Sequence, residues 1–427
     1  MVRRGLVFVL SLIVVAALVV IPAGAASTIT LRITDNIPDR NSPWGQVIEE
    51  INAAFMKQHP NVKIVTESYP DQPYQQKMKI YAASNNLPDV FKYWCFPTLL
   101  GEMVRAKKVM ALNMKDFSAM GWIPGSLEAN IYNGKLYGLP VTTDFWVIYY
   151  NKALFAKYNV KVPTTIDELL AAAKVFRANG IIPMSTDGKD AWPLSITIDN
   201  LIGRVNGDFS VIQKALDREM KFTDPVFLTA AKKFKGMVDA KLFQDDLLTS
   251  DYGAARNLFG QEKAAMYLMG SWEMGLGTDT AFSEHFRENV SVFKFPVLSD
   301  GKGTHDDLVA WFGGNYVVSA KTKYKNLCLD YLKLYFTLYP KLIWKYKANV
   351  PAQKIEANPD DNQLSKDLLA IVGAAKQTSG TPCLDRSTPE FKELHQKYTQ
   401  ELAAGIKTPE QYVKALDEIA DKAAGKK

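Results

Sequence analysis

The sequence predicts an α/β protein made of two lobes, and three observations carry that expectation. From residue 28 onward, hydrophobic patterns of period two alternate with patterns of period 3.6, so strands alternate with helices and the helices must cover sheets. The length of 427 residues exceeds what one hydrophobic core usually serves, which favours two units of comparable size. The composition is 47% hydrophobic with 26 Gly and 21 Pro, which excludes a disordered or collagenous chain.

The amino terminus is separate from this pattern. Arg3 and Arg4 precede an uninterrupted apolar run from Leu6 to Ile21, followed by Pro22 and the small residues Ala23, Gly24, Ala25 and Ala26. That is the charge, core and cleavage pattern of a secretory signal peptide over residues 1–25. The run falls short of the ~20 residues a spanning helix needs, so cleavage is preferred to an uncleaved anchor. Cleavage removes two Arg and no acid, and the formal charge falls from +6 to +4. No Lys/Arg stripe stands out, so nucleic-acid binding gains no support. Cys95, Cys328 and Cys383 are odd in number and far apart, which leaves one disulfide plus a free thiol, or three small buried hydrophobes. None lies at the cleavage site to take a lipid anchor. The expected mature protein is soluble and periplasmic.

The elements follow in order. Residues 28–34 alternate as a half-buried strand through Ile29, Leu31 and Ile33. Ser42 and Pro43 open a helix with Val47, Ile48, Ile51, Ala54 and Phe55 on one face, ended by Pro60. A strand at 62–66, a helix at 74–85 and a strand at 87–91 come next, implying a parallel sheet. Asn133-Gly134 predicts a tight hairpin within 131–137. Residues 145–150 read as a buried strand. Thr165 and Glu168 form a capping box for a helix to Ala178, and Asp224-Pro225 opens another. Strands at 264–269, 290–295 and 316–319, an amphipathic helix at 325–339 and a terminal helix opened by Thr408-Pro409 complete the series.

Chemical signatures are sparse. His59, His285, His305 and His395 show no metal-binding spacing, and His305-Asp306-Asp307 reads as a turn. No nucleophile elbow, phosphate loop or dinucleotide fingerprint is present, so no cofactor is expected. Aromatic residues are 11% of the chain, with eight Trp. Trp94, Trp192 and Trp272 fall where predicted strands give way to loops, the side of an α/β sheet where ligands bind. An indole face suits the axial C–H groups of a pyranose, while neighbouring polar groups bond its hydroxyls. Trp192 and Trp272 are therefore read as ligand residues, and Trp122, Trp146 and Trp344 as core.

Several stretches in fixed order resemble one family: Phe55 through Val62, Leu87-Pro88-Asp89-Val90, Asn133 through Pro140, Tyr149-Tyr150-Asn151-Lys152 with Pro163-Thr164-Thr165, Phe259-Gly260 with Ala264-Ala265-Met266, Gly270-Ser271-Trp272, and Gly313-Gly314-Asn315 with Val317-Val318-Ser319. The mature chain is similar to the family 1 extracellular solute-binding proteins of ABC importers, the maltose and oligosaccharide type. The resemblance implies a type II periplasmic binding protein fold, with residues 26–143 and 296–350 in lobe 1 and residues 144–295 and 351–427 in lobe 2. It also implies a carbohydrate ligand held in a cleft that closes by hinge motion, a membrane permease as partner, a monomeric state and no covalent chemistry.

Ligand contacts carried over from the resemblance are Asp39, Asn41 and Trp44 at the first helix, Tyr93 or Trp94 after the third strand, and Asp144 at a crossover. Trp192 and Trp272 come from the second lobe, Trp311, Gly313 and Gly314 from the second crossing, and Arg386 from a later loop. The bare backbone of Gly313 and Gly314 would allow close approach to a ligand. Two alternatives stay open: the same importer role for glycerol phosphate or another small polar solute, and an exported glycoside hydrolase.

Overall fold

The computed structural model describes residues 27–355 and 357–425; the expected signal peptide lies outside them. The period-two segment forms β1 (Ile29–Asp35), with Leu31 and Ile33 fully buried. In α1 (Pro43–Gln58) the Ser42 hydroxyl accepts the Gly45 N–H, and Val47, Ile48, Ile51 and Phe55 face inward, joined by Asn52 rather than the half-exposed Ala54. Then come β2 (Val62–Ser68), α2 (Asp71–Ala83) and β3 (Val90–Trp94). Pro88 has no N–H to donate, and pairing with β1 begins at Val90 opposite Ile33, so β3 starts three residues later than its periodicity suggests.

A helical turn α3 (Glu102–Arg105) leads to the hairpin β4 (Ile131–Tyr132) and β5 (Lys135–Leu136). Asn133 and Gly134 turn it at φ 50° and 70°, both left-handed as the tight hairpin requires. After β6 (Leu139–Pro140), the long β7 (Thr143–Asn151) carries the chain into a second sheet. Its continuation is α4 (Lys152–Lys157), α5 (Ile166–Ala178), β8 (Ile182–Ser185), α6 (Trp192–Asn206), α7 (Ser210–Leu216), α8 (Pro225–Asp239), α9 (Tyr252–Gly260), β9 (Ala264–Gly270), α10 (Glu284–Asn289), β10 (Val290–Lys294), β11 (Asp307–Leu308) and β12 (Ala310–Phe312). The chain returns through β13 (Gly314–Val318) and α11 (Lys325–Lys345), and closes with α12 (Gln363–Gly373), β14 (Gln377–Thr378), α13 (Pro389–Ala403) and α14 (Pro409–Ala423). Capping boxes form at α5 (Thr165 with Glu168) and α14 (Thr408 with Gln411).

The first sheet has the order β2-β1-β3-β13-β6, the second β10-β7-β9-β8. In the first, β1 runs parallel to β2 and β3, whereas β13 is antiparallel to β3 and β6. In the second, β7 is antiparallel to β9 and β10 while β8 is parallel to β9. Both sheets are therefore mixed, not wholly parallel, because the strands that carry the chain between lobes enter in the opposite direction. β12 pairs with β7, so residues 310–312 belong with the second sheet, while β11 and β14 form a separate two-stranded ribbon. The return crossing thus falls at Phe312–Gly314 and not at residue 296; strands of two and three residues are too short to show a period.

Three crossings join the lobes side by side. The Gly313 N–H donates to the Thr142 carbonyl at 2.9 Å and the Thr143 N–H to the Val350 carbonyl at 2.9 Å, beside a bridge between Thr142 and Pro351. α11 runs through Pro340 and past its expected end at residue 339, and the burial of Ile343 and Trp344 beyond it offsets the lost hydrogen bond. All three cysteines are free and buried, the second of the two alternatives left open by their number and spacing. His305 sits in a turn, its Nε2 bonded to the Thr164 carbonyl, and among the described residues no His, Cys, Asp and Glu group could hold a metal ion.

Candidate ligand cleft

Between the lobes lies a cavity of about 640 Å³. Of the residues carried over from the resemblance, Asp39, Trp44, Trp94, Asp144, Trp192, Trp272, Trp311 and Gly314 line it. Asn41, Tyr93, Gly313 and Arg386 do not. Asn41 lies in the exposed turn before α1, where its N–H donates to Asp39 Oδ1 and its carbonyl accepts from Gln46. Tyr93 occupies the opposite face of β3 from its neighbours Lys92 and Trp94 and packs in the core against Phe91. Arg386 donates to the carbonyls of Ser379 and Thr381 and ties its own loop together. At Gly313 a Cβ would fall 1.7 Å from Asp144 Oδ2, and at Gly314 2.7 Å from Lys92 Cε. The two glycines make room for those side chains, and the Gly314 backbone also borders the cavity.

An indole wall occupies the second-lobe side. Ring centroids of Trp272 lie 5.9 Å from Trp192, 6.0 Å from Trp146 and 5.9 Å from Trp311. Trp272 begins the turn after β9, and Gly270 leaves the space that its ring fills. Trp192 opens α6 behind Ala191, whose φ of 63° turns the chain sharply into the helix. Trp146, two residues along β7 from Asp144, is fully buried behind the wall as expected of a core residue. Trp344 is also core, its Nε1 donating to Asp361, and Trp122 packs half-buried on Phe336. The indole N–H groups of Trp192 and Trp311 are buried without a protein partner, leaving two donors beside the cavity.

The polar groups are largely ones the sequence did not single out. Lys92, only 5% exposed, donates from Nζ to Asn36 Oδ1 at 2.7 Å and lies 4.2 Å from the centroid of Trp44, a cation–π contact. Burial pushes its pKa down to about 8 against the charges of Asp144 and Asp35. Burial pushes Asp144 up to about 6, although the Thr142 side chain, the charge of Lys92 and the Asn349 side chain oppose the rise, and its Oδ1 has no hydrogen-bond partner. Asp71 rises to about 6 through burial, against the charge of Lys392 and reinforced by Asp190. Arg256 is held by Glu273 and Asp279, each at 2.8 Å, and Tyr252 donates its hydroxyl to Glu273. Burial works against the Arg256 charge, but these partners more than offset it and raise its pKa. A lone Lys within the apolar strand Val90–Trp94 was the signal for Lys92; the Arg256 network joins residues 17 and 23 positions apart and has none.

Two mixed α/β sheets on a three-segment hinge, with an indole-walled cavity between them, define a two-lobed cleft-binding protein. Residues 35–337 match the model of the bacterial extracellular solute-binding proteins, and the chain belongs to that family. Its relatives include an uncharacterized ABC transporter extracellular-binding protein of Pyrococcus horikoshii, 29% identical over 56% of this chain and 57% of that one. The galactooligosaccharide-binding protein of Bacillus subtilis is 24% identical over 88% of this chain and 86% of that one, and the multiple sugar-binding protein of Streptococcus mutans is 23% identical over 71% and 70%. A solved structure from a study of xylan utilization by Caldanaerobius polysaccharolyticus superposes with a TM-score of 0.85 at 29% identity, over 92% of this chain and 100% of that chain. A chitin oligosaccharide binding protein shares the fold at TM-score 0.82 and 22% identity, over 93% and 99%. No helix among the described residues is long and apolar enough to cross a membrane.

Proposed function

We propose that this protein is the substrate-binding component of an ABC-type carbohydrate importer. It is exported, freed of residues 1–25 without a lipid anchor, and acts in the periplasm as a monomer. It captures a neutral sugar or oligosaccharide as its lobes close and delivers it to the membrane permease. The observation that carries this reading is the wall of Trp192, Trp272 and Trp311, with Trp44 and Trp94 also lining a cavity of about 640 Å³. That volume lies within the range of small-molecule sites, and flat apolar faces beside fixed donors and carboxylates match the two kinds of surface a pyranose presents. The named sugar ligands of its relatives support the same class. A phosphate ester fits less well: eight Asp and Glu line the cavity against four Lys and Arg, and Arg256 is already paired.

The test is thermal unfolding of the mature chain with galacto-, malto-, xylo- and chito-oligosaccharides. A ligand at 100 times its Kd stabilises by about 2.7 kcal/mol, and one of these sugars is expected to do so. A shift produced only by a phosphate ester, a polyamine or a metal ion would replace the substrate class. The rise of Asp144 and Asp71 to about 6 is a feature shared with a general acid. Chromatography of the incubated sugar is expected to return it uncleaved; product would make the protein a hydrolase.

A further inference from the structure

Lys92 and Asp144 are 5% and 7% exposed, line the same cavity and stand on opposite sides of the hinge, Lys92 in the first sheet and Asp144 at the start of β7. They are close enough to influence each other's ionisation, yet no ion pair within 4.0 Å joins them. Lys92 Nζ carries three donors and spends one on Asn36, while the Thr142 and Asn349 side chains serve the Asp144 carboxylate but leave its Oδ1 without a hydrogen bond. The crossing backbone is cut to hold both, since a Cβ on Gly313 would strike Asp144 and one on Gly314 would strike Lys92. A buried donor and a buried acceptor with unused capacity are costly unless something supplies the missing bonds.

Resting on the carbohydrate reading above, we infer that Lys92 and Asp144 form a two-point anchor for neutral hydroxyls on adjacent ring carbons, Lys92 donating to one oxygen and Asp144 accepting from the other. A hydroxyl both donates and accepts, so a vicinal diol satisfies both ends without adding charge. A sugar acid or phosphate would satisfy Lys92 but repel Asp144, and an amino sugar would do the reverse. The anchor therefore selects neutral sugars at this position.

Calorimetric titration at pH 7 of the neutral oligosaccharide giving the largest thermal shift tests this, with wild type, Lys92→Met and Asp144→Asn. Each substitution is expected to weaken binding by roughly 10- to 100-fold, the range of a hydrogen bond to a charged group, with the unfolding transition retained. Monodeoxy analogues give a second reading on the wild type alone, which does not depend on either variant folding: removal of an anchored hydroxyl is expected to cost at least tenfold. Folded variants that bind as tightly as wild type, or a uronic acid or amino sugar that binds more tightly than its neutral analogue, would overturn the anchor while leaving sugar capture intact. A wild type that binds no sugar would overturn both.

Discussion

Gly270→Ala tests whether the indole wall is a fitted surface. Gly270 has φ −87° and ψ 171°, extended backbone open to any residue, so the substitution brings no backbone strain. The added Cβ, however, falls 2.1 Å from Cζ3, 2.2 Å from Cη2 and 2.5 Å from Cε3 of Trp272. Non-bonded carbons settle near ~3.5 Å, so the ring must retreat by roughly 1.4 Å. Trp146, Trp192 and Trp311, with centroids 5.9 to 6.0 Å away, stand around it. Overpacking of this kind costs about 1–3 kcal/mol, and a displaced stacking face should lower sugar affinity by roughly tenfold or more. Urea unfolding reads the first quantity and calorimetric titration the second. Trp272→Ala supplies the control, because in that background Gly270→Ala should cost almost nothing in stability, a strong departure from additivity. An unchanged midpoint and affinity in Gly270→Ala, or a penalty that persists without Trp272, would refute the reasoning.

Sugar affinity should be greatest between about pH 6 and 8, the window in which Asp144 is ionised and Lys92 still protonated. It should fall below that window as Asp144 takes a proton and above it as Lys92 loses one. Asp35 and Asp71 also act on Lys92, and Asp71 titrates near 6 itself, so Asp144→Asn is needed to isolate the acid limb and Lys92→Met the alkaline one. His395 is buried between Phe391 and Tyr412, and burial lowers its pKa to about 4. Its ordinary value is near 6.5, so it contributes about 3 kcal/mol of stability above that pH, lost progressively as pH falls toward 4. Urea midpoints between pH 7 and 4 check this, and His395→Phe should flatten the slope. Burial pushes the Cys95 and Cys328 thiols up to about 12 and raises Cys383 as well. None should react with a thiol reagent at pH 8 until the protein is unfolded, as a colorimetric thiol titration would report.

Features set by neighbours in sequence were legible. Ser42 with Pro43, Thr165 with Glu168 and Thr408 with Pro409 mark their helix starts because capping is a matter of a few residues. Asn133-Gly134 marks its hairpin because left-handed backbone at two successive positions is a local demand. The indole side of the cleft was partly legible because Trp192 and Trp272 follow strand ends. What depended on pairing across the chain was hidden. Residues 310–312 join the second sheet through β7 and residues 307–308 pair with β14, partners more than 65 positions away. Tyr93 and Trp94 were equivalent until the pleat of β3 sent one to the core and the other to the cleft. Gly313 and Gly314 stand out in the sequence for lacking side chains, but only the fold shows that the space goes to Asp144 and Lys92.

The three crossings at Thr142–Thr143, Phe312–Gly314 and Val350–Pro351 are laid together like the leaves of a spring. Because they bond to one another, the lobes can flex about this ply by twisting a ribbon whose hydrogen bonds stay made, and no backbone group has to be exposed and re-paired. A spring of that kind has one soft direction, so ligands of different length would be enclosed along the same path.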